Sequence, residues 1–148
     1  MKTISRPLLV LALGIVCLST AAYARNDILR LLLGEVLRSP DAYARLNPNI
    51  RLYFGTQRYG EPTRRMGVFK ANKKTNFFNK TDKEGCEWAF LSAAISLQDR
   101  AAQMGGNAVV NIVSVYRNIE FSSETEYECG AGNVAGGVAL RGEVVTLR

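Results

Sequence analysis

The stretch DRAAQMGGNAVVNIVSVY, residues 99–116, constrains the fold most, because a helical pattern changes to a strand pattern at one pair of glycines. Glycine ends helices since it takes the left-handed conformation without penalty, so Gly105 and Gly106 predict a helix stop. The β-branched run NAVVNIVSVY predicts a strand that is covered on both faces. A P-loop needs the opposite order, with a strand before the glycines and a lysine opening the helix. We therefore interpret the glycines as a helix-to-strand turn, and the chain contains no Walker A motif.

The helix before this turn is predicted to run from about Thr81 to Met104. Thr81 and Glu84 have capping-box spacing, in which each residue satisfies a backbone N–H group of the other at the helix start. Apolar residues recur along one face at helical spacing. They are Trp88, Leu91, Ile95 and Ala102, with Phe90, Ala94 and Leu97 beside them.

A second helix is predicted near the start of the chain, in NDILRLLLGEVLRSPDAYARLN. Asn26 or Asp27 can cap it, and Ser39-Pro40 is expected to end it. Its apolar residues Ile28, Leu29, Leu32, Val36 and Leu37 follow helical spacing. We expect this helix to pack on the sheet of the domain, and contact with a partner or a membrane is the alternative.

The remaining segments predict strands and turns. NIRLYFGTQ alternates with Ile50, Leu52 and Phe54 on one face and Arg51 and Tyr53 on the other. A second strand is predicted at the start of RMGVFKANKKTNFFNK, which then becomes polar. Further strands are predicted in IEFSSETEYEC, which alternates, and in VALRGEVVTL, which closes the sheet. Between these two, we expect a flexible turn in GAGNVAGG. GAGNVAGG is not a dinucleotide-binding fingerprint, because no helix follows it. The pattern predicts one α/β (α+β) domain over residues 25–148, with one long helix on a mainly antiparallel sheet and an extra N-terminal helix.

The first 24 residues have the organisation of a secretory signal peptide. Lys2 and Arg6 precede an apolar run from Leu8 to Leu18, and Ala22-Tyr23-Ala24 forms a small-x-small cleavage site. Cleavage before Arg25 would lower the formal net charge of +6 to +4, because the leader carries two cations and no acid. An uncleaved anchor is the alternative, since the apolar run is near the lower length limit for a bilayer span. Lipidation of Cys17 is disfavoured because Val16 before it is not small. We expect a periplasmic or secreted protein with no stable membrane span after cleavage.

Cys86 and Cys129 remain after the leader is removed, and an exported chain with two cysteines is expected to join them in a disulfide. The bridge would close a loop of about 44 residues and stabilise the fold by roughly 4 kcal/mol in the chain-entropy model. A pair of metal thiolates is the alternative. It is weaker because the chain has no histidine and no CxxC spacing.

The densest charge lies between Arg51 and Lys83, which hold nine basic residues against two acids. Aromatic residues interleave with the cations, an arrangement that can suit nucleic acid or an anionic envelope polymer; they are Tyr53, Phe54, Tyr59, Phe69, Phe77 and Phe78. We expect no nucleic acid, since an exported protein rarely meets it. A mobile, solvated loop is the other interpretation of the polar part. The candidate ligand- or partner-binding residues are Lys70, Asn72, Lys73, Lys74, Asn76 and Asn79.

Acidic residues provide the other candidate site. Glu124, Glu126 and Glu128 alternate, so a strand would place them on one face, where carboxylate oxygens could bind a cation. A solvated edge, or a face complementary to the basic stretch, is the alternative interpretation. Catalysis is not expected, because without histidine neither a Ser-His-Asp nor a Cys-His pair can form.

Two blocks carry a family resemblance, KKTNFFNKTDKEGCEWAFLSAAISLQDRAAQMGGNAVVNIVSVY and TEYECGAGNVAGGVALRGEVV. They resemble a family of small exported proteobacterial proteins of unknown function, which often carry the label "excinuclease ATPase subunit". The lack of a P-loop argues against that activity here. The helix–Gly–NAVVNI–strand block is also similar, more distantly, to the YbjQ-like and RcsF-like fold. That similarity implies an α/β sandwich with a binding or sensing role.

The combined expectation is a non-enzymatic binding or envelope-sensing module without a cofactor. Its expected partner is an envelope protein or an anionic envelope component, recognised by the segment Lys70–Lys80. A metal- or small-ligand-binding oligomer of the YbjQ-like type, with the three glutamates as ligands, is the alternative.

Overall fold

The computed structural model describes residues 24–148, so the predicted leader, residues 1–24, lies outside the described residues except for Ala24. The strands are β1 (Asn26–Leu32), β2 (Arg51–Phe54), β3 (Pro62–Asn76), β4 (Ala108–Ser114), β5 (Glu126–Gly132) and β6 (Ala135–Leu147). The helices are α1 (Leu33–Val36), α2 (Pro40–Arg45) and α3 (Asp82–Met104), and a short 3-10 helix spans Tyr116–Asn118. The predicted α+β class is confirmed.

Strand β6 is the centre of the sheet. One side of β6 pairs antiparallel with β3, from Leu147 opposite Pro62 to Ala135 opposite Asn76. Its other side pairs antiparallel with β5 near its start and with β4 towards its end. β1 then adds antiparallel to β5, and β2 adds parallel to β4. The sheet is therefore mainly antiparallel, as predicted, and β1, β2 and β3 are its edge strands.

Helix α3 matches its prediction at both ends. Thr81 caps it with the full capping box to Glu84, and Gly105 ends it in the left-handed conformation at φ 77°. The helix covers one face of the sheet, where it packs on Val138, Leu140 and Val144 of β6. The alternate residues of β6 point to the opposite, outer face, which carries two smaller apolar clusters.

The disulfide between Cys86 and Cys129 is present, with Cα atoms 5.8 Å apart. Both cysteines are fully buried. The bridge joins the first turn of α3 to β5 through the core, so the disulfide prediction is confirmed.

The predicted N-terminal helix is wrong over its first part, because Asn26–Leu32 forms β1. Leu29 and Leu31 face the core side while Ile28 and Leu32 stay about half exposed, so the run also fits a strand's alternation. Pairing with β5 satisfies the backbone along that strand's edge, and this tertiary contact outweighs the local helical pattern.

No helix continues through Ser39-Pro40, since α1 ends at Val36, but these residues also start α2, which was not predicted. The Ser39 hydroxyl accepts from Ala42 N at 3.1 Å, and Pro40 occupies the first helical position. Serine before a helix and proline at its first residue are both favoured, since the proline lacks only an N–H that would be unpaired there.

Two predicted flexible segments are regular strands. The polar segment through Asn76 continues β3, and GAGNVAGG forms the facing ends of β5 and β6 around a two-residue turn. The glycines are needed for close packing. A Cβ on Gly130 would lie 1.9 Å from the Tyr116 ring, and one on Gly136 would lie 2.1 Å from the Phe77 ring.

Among residues 24–148, no helix is long and apolar enough to cross a membrane.

Candidate functional site

The unpaired edge of β3 carries most of the predicted binding residues. β3 pairs only with β6, so its second edge has no neighbouring strand among residues 24–148. The register runs without a bulge from Val68, opposite Glu143, to Asn76, opposite Ala135. This part of β3 therefore presents a regular, extended backbone at the border of the sheet.

The hydrogen-bond pattern shows which backbone groups face outward. Phe77 N, one residue beyond β3, donates to Val134 O at 2.8 Å and continues the β3–β6 ladder. On the far side of β6, Val115 N donates to Ala139 O at 2.8 Å, so that carbonyl points away from β3. Alternate residues of an antiparallel strand bond to the same neighbour. The residues whose N–H and C=O groups point to the open edge are therefore Lys70, Asn72, Lys74 and Asn76.

The same four residues are exposed and place their side chains on the outer face by the register with β6. Lys70 Nζ donates to Asn118 Oδ1 at 2.6 Å, and Lys80 Nζ donates to Asn76 Oδ1 at 3.5 Å. The structure thus brings four of the six predicted residues into one stripe along an open strand edge.

Lys73 alternates to the face covered by α3 and borders a groove of about 370 Å³ between β3, α2 and α3. The groove is open to solvent and is lined by three cations, one carboxylate, two hydroxyls and one apolar side chain. They are Arg45, Lys73, Lys74, Asp99, Ser92, Ser96 and Ile95. Its charge is therefore predominantly positive.

Arg45 has unsatisfied hydrogen-bonding capacity. Its guanidinium lies 4.6 Å from the centre of the Trp88 ring, and its Nη2 donates to Ser92 Oγ over a long 3.4 Å. Its Nη1 is buried and has no hydrogen-bond partner. In the described residues no carboxylate lies within ion-pair distance of Arg45. A half-buried guanidinium without a carboxylate partner favours an anionic acceptor at those of its N–H groups that solvent reaches.

Three other cations of the basic stretch have partners within the described residues. Arg65 pairs with Glu143 at 2.7 Å, Lys83 pairs with Glu35 at 2.5 Å, and Arg64 donates to the Met104 carbonyl at 2.9 Å. Within residues 24–148, neither Lys73 nor Lys74 forms an ion pair. Arg51, Arg58 and Lys80 also form no ion pair in this part of the chain, so what distinguishes Arg45, Lys73 and Lys74 is that they line one groove.

Asn79 is separated from the other predicted residues. It lies in the turn before α3 at a left-handed φ of 55°, beside a depression of about 220 Å³. That depression is more acidic than the groove. Partial burial raises the pKa of Glu87, while hydrogen bonds from Thr81 lower the pKa of Glu84.

The aromatic residues of the basic stretch are distributed over both faces. Phe54 and Phe77 are buried in the core beneath α3, and Tyr53 packs against Tyr59 on the outer face with ring centres 5.8 Å apart. Phe69 lies under the Arg100 guanidinium at 5.1 Å. They form no continuous stacking surface.

The three alternating glutamates have separate environments. The Glu128 side chain is only 8% exposed and pairs with Arg30 at 3.4 Å. Glu126 is half-buried on the same face of β5, whereas Glu124 precedes the strand and accepts from Thr56 Oγ1 at 2.6 Å. In the part of the chain that the structure describes, no group of three acidic, cysteine or histidine side chains is placed to hold a metal ion.

A separate depression of about 500 Å³ lies between the end of β1 and β2 and is mainly apolar. It includes Leu33, Leu52 and Phe54, and Glu124 lies at its border. It contains none of the predicted basic residues.

Arg45, Ser92, Ser96 and Asp99 belong to the groove but were not predicted as site residues. The spacing of Ser92, Ser96 and Asp99 places them on one face of a helix, which is a detectable pattern. No sequence pattern indicated that Arg45 belongs to this groove, because its position depends on how α2 packs against α3.

Comparisons of the chain with protein-family models, with curated proteins and with solved structures gave no match. The resemblance to the exported proteobacterial family and to the YbjQ-like and RcsF-like fold stays a prediction.

Proposed function

We propose that this chain is an exported, non-enzymatic binding or envelope-sensing module whose partner is anionic. The partner contacts the groove and the adjoining edge of β3. The observation that carries this proposal is the grouping of Arg45, Lys73 and Lys74 around one groove without a carboxylate within ion-pair distance of any of them. Surface cations are commonly paired or spread apart, as Arg65 and Lys83 are here, so the unpaired group favours an external anion.

Hydrogen-bond donors at the groove support the choice of an anion. Arg45 lines the groove without a carboxylate partner, and the Ser96 hydroxyl borders the same space, whereas the Ser92 hydroxyl already donates to Trp88 O at 2.8 Å. An ionised acceptor strengthens such hydrogen bonds, since charge-assisted bonds are about twice as strong as neutral ones. A carboxylate or phosphate fits this donor set, whereas a metal ion does not.

The proposed location and the absence of catalysis are supported by the chemistry of the chain. The buried Cys86–Cys129 disulfide is typical of an oxidising compartment, in agreement with the secretory pattern of the leader. The disulfide also leaves neither cysteine available as a nucleophile. No histidine is present that could act as a general base and activate a serine.

Binding of fluorescein-labelled poly-L-glutamate tests the anion proposal. Lys73→Glu with Lys74→Glu is expected to weaken binding at least tenfold, because it reverses two of the three cations at the groove. Arg51→Glu with Arg58→Glu is the matched control, since it changes the net charge equally at exposed positions outside the groove. Equal losses in the two variants would show non-specific attraction and contradict the proposed site.

Intact mass of the protein recovered from the periplasm tests the location. We expect a chain that begins at Arg25, in which Cys86 and Cys129 react with an alkylating reagent only after reduction. A full-length chain in which Cys86 and Cys129 react without prior reduction, found in the cytoplasmic fraction, would contradict export.

A further inference from the structure

We propose that the partner presents an acidic, extended polypeptide segment that adds as a strand to the open edge of β3 between Val68 and Asn76. One acidic side chain of this segment enters the basic groove. The inference rests on the proposed function and deepens it, because it specifies how the anionic partner binds.

The backbone of β3 provides the first argument. Lys70, Asn72, Lys74 and Asn76 direct their N–H and C=O groups to the open edge, with about 6.8 Å between successive outward residues. This spacing fits an extended chain, and main-chain hydrogen bonds supply much of the affinity when a peptide extends a sheet. The stretch contains no bulge, and both bulges of β3 lie before Val68.

The groove provides the second argument. Side chains of an added strand alternate between the two faces of the sheet. Those on the α3 side would lie over the groove, where an acidic side chain can meet Arg45 and Lys73. Those on the outer face would lie beside Lys70 and Lys74. Acidic residues are therefore favoured at both kinds of position.

The charges also disfavour a second copy of this chain as the added strand. Pairing two β3 edges would bring lysines of one copy near lysines of the other, and like charges on adjacent strands are destabilising. Lysines on edge strands commonly prevent such self-pairing. An anionic polysaccharide or lipid could satisfy the charges but could not pair with the alternating backbone groups.

Nuclear magnetic resonance titration with a blocked octapeptide of alternating glutamate and valine tests the inference. We expect the largest amide shifts and slowed hydrogen exchange at Lys70, Asn72, Lys74 and Asn76, and little change in exchange at Ala71, Lys73 and Thr75. The latter amides already bond to β6, so only an added strand produces this alternation. No shift at millimolar peptide would overturn the inference.

Asn72→Pro supplies a second readout. Proline removes one outward N–H and leaves the β3–β6 ladder intact, which edge strands tolerate. We expect at least tenfold weaker peptide binding, whereas Asn72→Ala, which keeps the N–H, should bind within about twofold of wild type. The amide pattern of the wild-type protein decides the question if the proline variant does not fold.

The two proposals fail in different ways. In one outcome, Lys73→Glu/Lys74→Glu loses binding, but Asn72→Pro binds normally and the peptide changes the wild-type β3 amides uniformly. That outcome would overturn strand addition and leave the anionic contact standing. If the charge reversal weakens neither poly-L-glutamate binding nor peptide binding, both proposals are overturned. Concentration-dependent shifts of the same amides without peptide would place a second copy on the edge and overturn the acidic-partner inference.

Discussion

Strand β3 contributes both to the helix-covered face of the sheet and to its open edge, yet its residues differ in burial between the two. Towards α3, Ala71 and the adjoining Phe77 are buried in the apolar core. Towards the edge, Lys70, Asn72 and Lys74 are exposed and carry outward backbone groups. Apart from Lys73, which is exposed at the groove on the α3 side, the alternation of the strand thus separates residues that stabilise the fold from residues available for binding. Substitutions on the two sides should change different properties.

Removal of the disulfide should have the largest effect on the helix-covered side. Cys86→Ala with Cys129→Ala is expected to lower the free energy of unfolding by about 4 kcal/mol, because the unfolded chain regains the entropy of the closed loop. Urea denaturation measures the change, and reduced wild-type protein is the control that should show a similar loss. The molecules that stay folded should bind poly-L-glutamate normally. A loss below about 1 kcal/mol would contradict the view that the bridge is a main source of stability.

A glycine in β6 should show the tightness of packing on the same side. Gly136→Ala is expected to cost about 2 kcal/mol, since its new Cβ would lie 2.1 Å from Phe77 Cζ and 2.7 Å from Gly130 O. Gly60→Ala is the matched control, because a Cβ there meets no atom within 4 Å. Thermal unfolding of the two variants measures the difference. If both variants unfold at the wild-type temperature, the close approach of Phe77 to β6 is not a constraint.

Local sequence rules predicted α3 and its ends because the determinants lie within a few residues of each other. Thr81 and Glu84 form the N-terminal cap, and Gly105 forms the C-terminal one. The disulfide was predictable because only two cysteines follow the leader. These features need no knowledge of the tertiary structure.

Other features depend on contacts between distant segments. The leucines of β1 fit a helix and a strand equally well, and pairing with β5 decides between them. The lysines and asparagines of β3 are poor strand formers in general, but an edge strand accepts them because solvent surrounds their side chains. The groove unites Arg45, Lys73 and Ser96 from α2, β3 and α3, so only the packing of these elements defines it.

Tyr127 tests whether every polar group on the helix-covered side contributes to stability. Its hydroxyl is buried without a hydrogen-bond partner, and burial raises its pKa above the ordinary value. Tyr127→Phe is therefore expected to raise the free energy of unfolding by about 1 kcal/mol at neutral pH.

The same residue should make stability depend on alkaline pH. The unfolded chain loses the Tyr127 proton near pH 10, the ordinary pKa of a tyrosine, while burial raises the pKa in the folded protein, which keeps the proton to higher pH. The unfolded state then binds fewer protons, so stability is fully present below about pH 10 and declines as pH rises further. Urea denaturation between neutral pH and pH 11 should show a smaller decline in Tyr127→Phe. An identical decline in both proteins would assign the alkaline loss to other groups.

The smallest expected effect on stability lies at the groove and, as for Tyr127→Phe, is a gain. The cations Arg45, Lys73 and Lys74 line one groove and form no ion pairs, so we expect their like charges to repel one another. Lys73→Gln with Lys74→Gln should raise the free energy of unfolding by about 0.5 kcal/mol at low salt while weakening poly-L-glutamate binding. The gain should vanish at about 1 M salt, where the screening length falls to about 3 Å. Urea denaturation at the two salt concentrations measures it. A loss of stability at low salt would mean that these lysines support the fold, and the separation between the two sides of β3 would not hold.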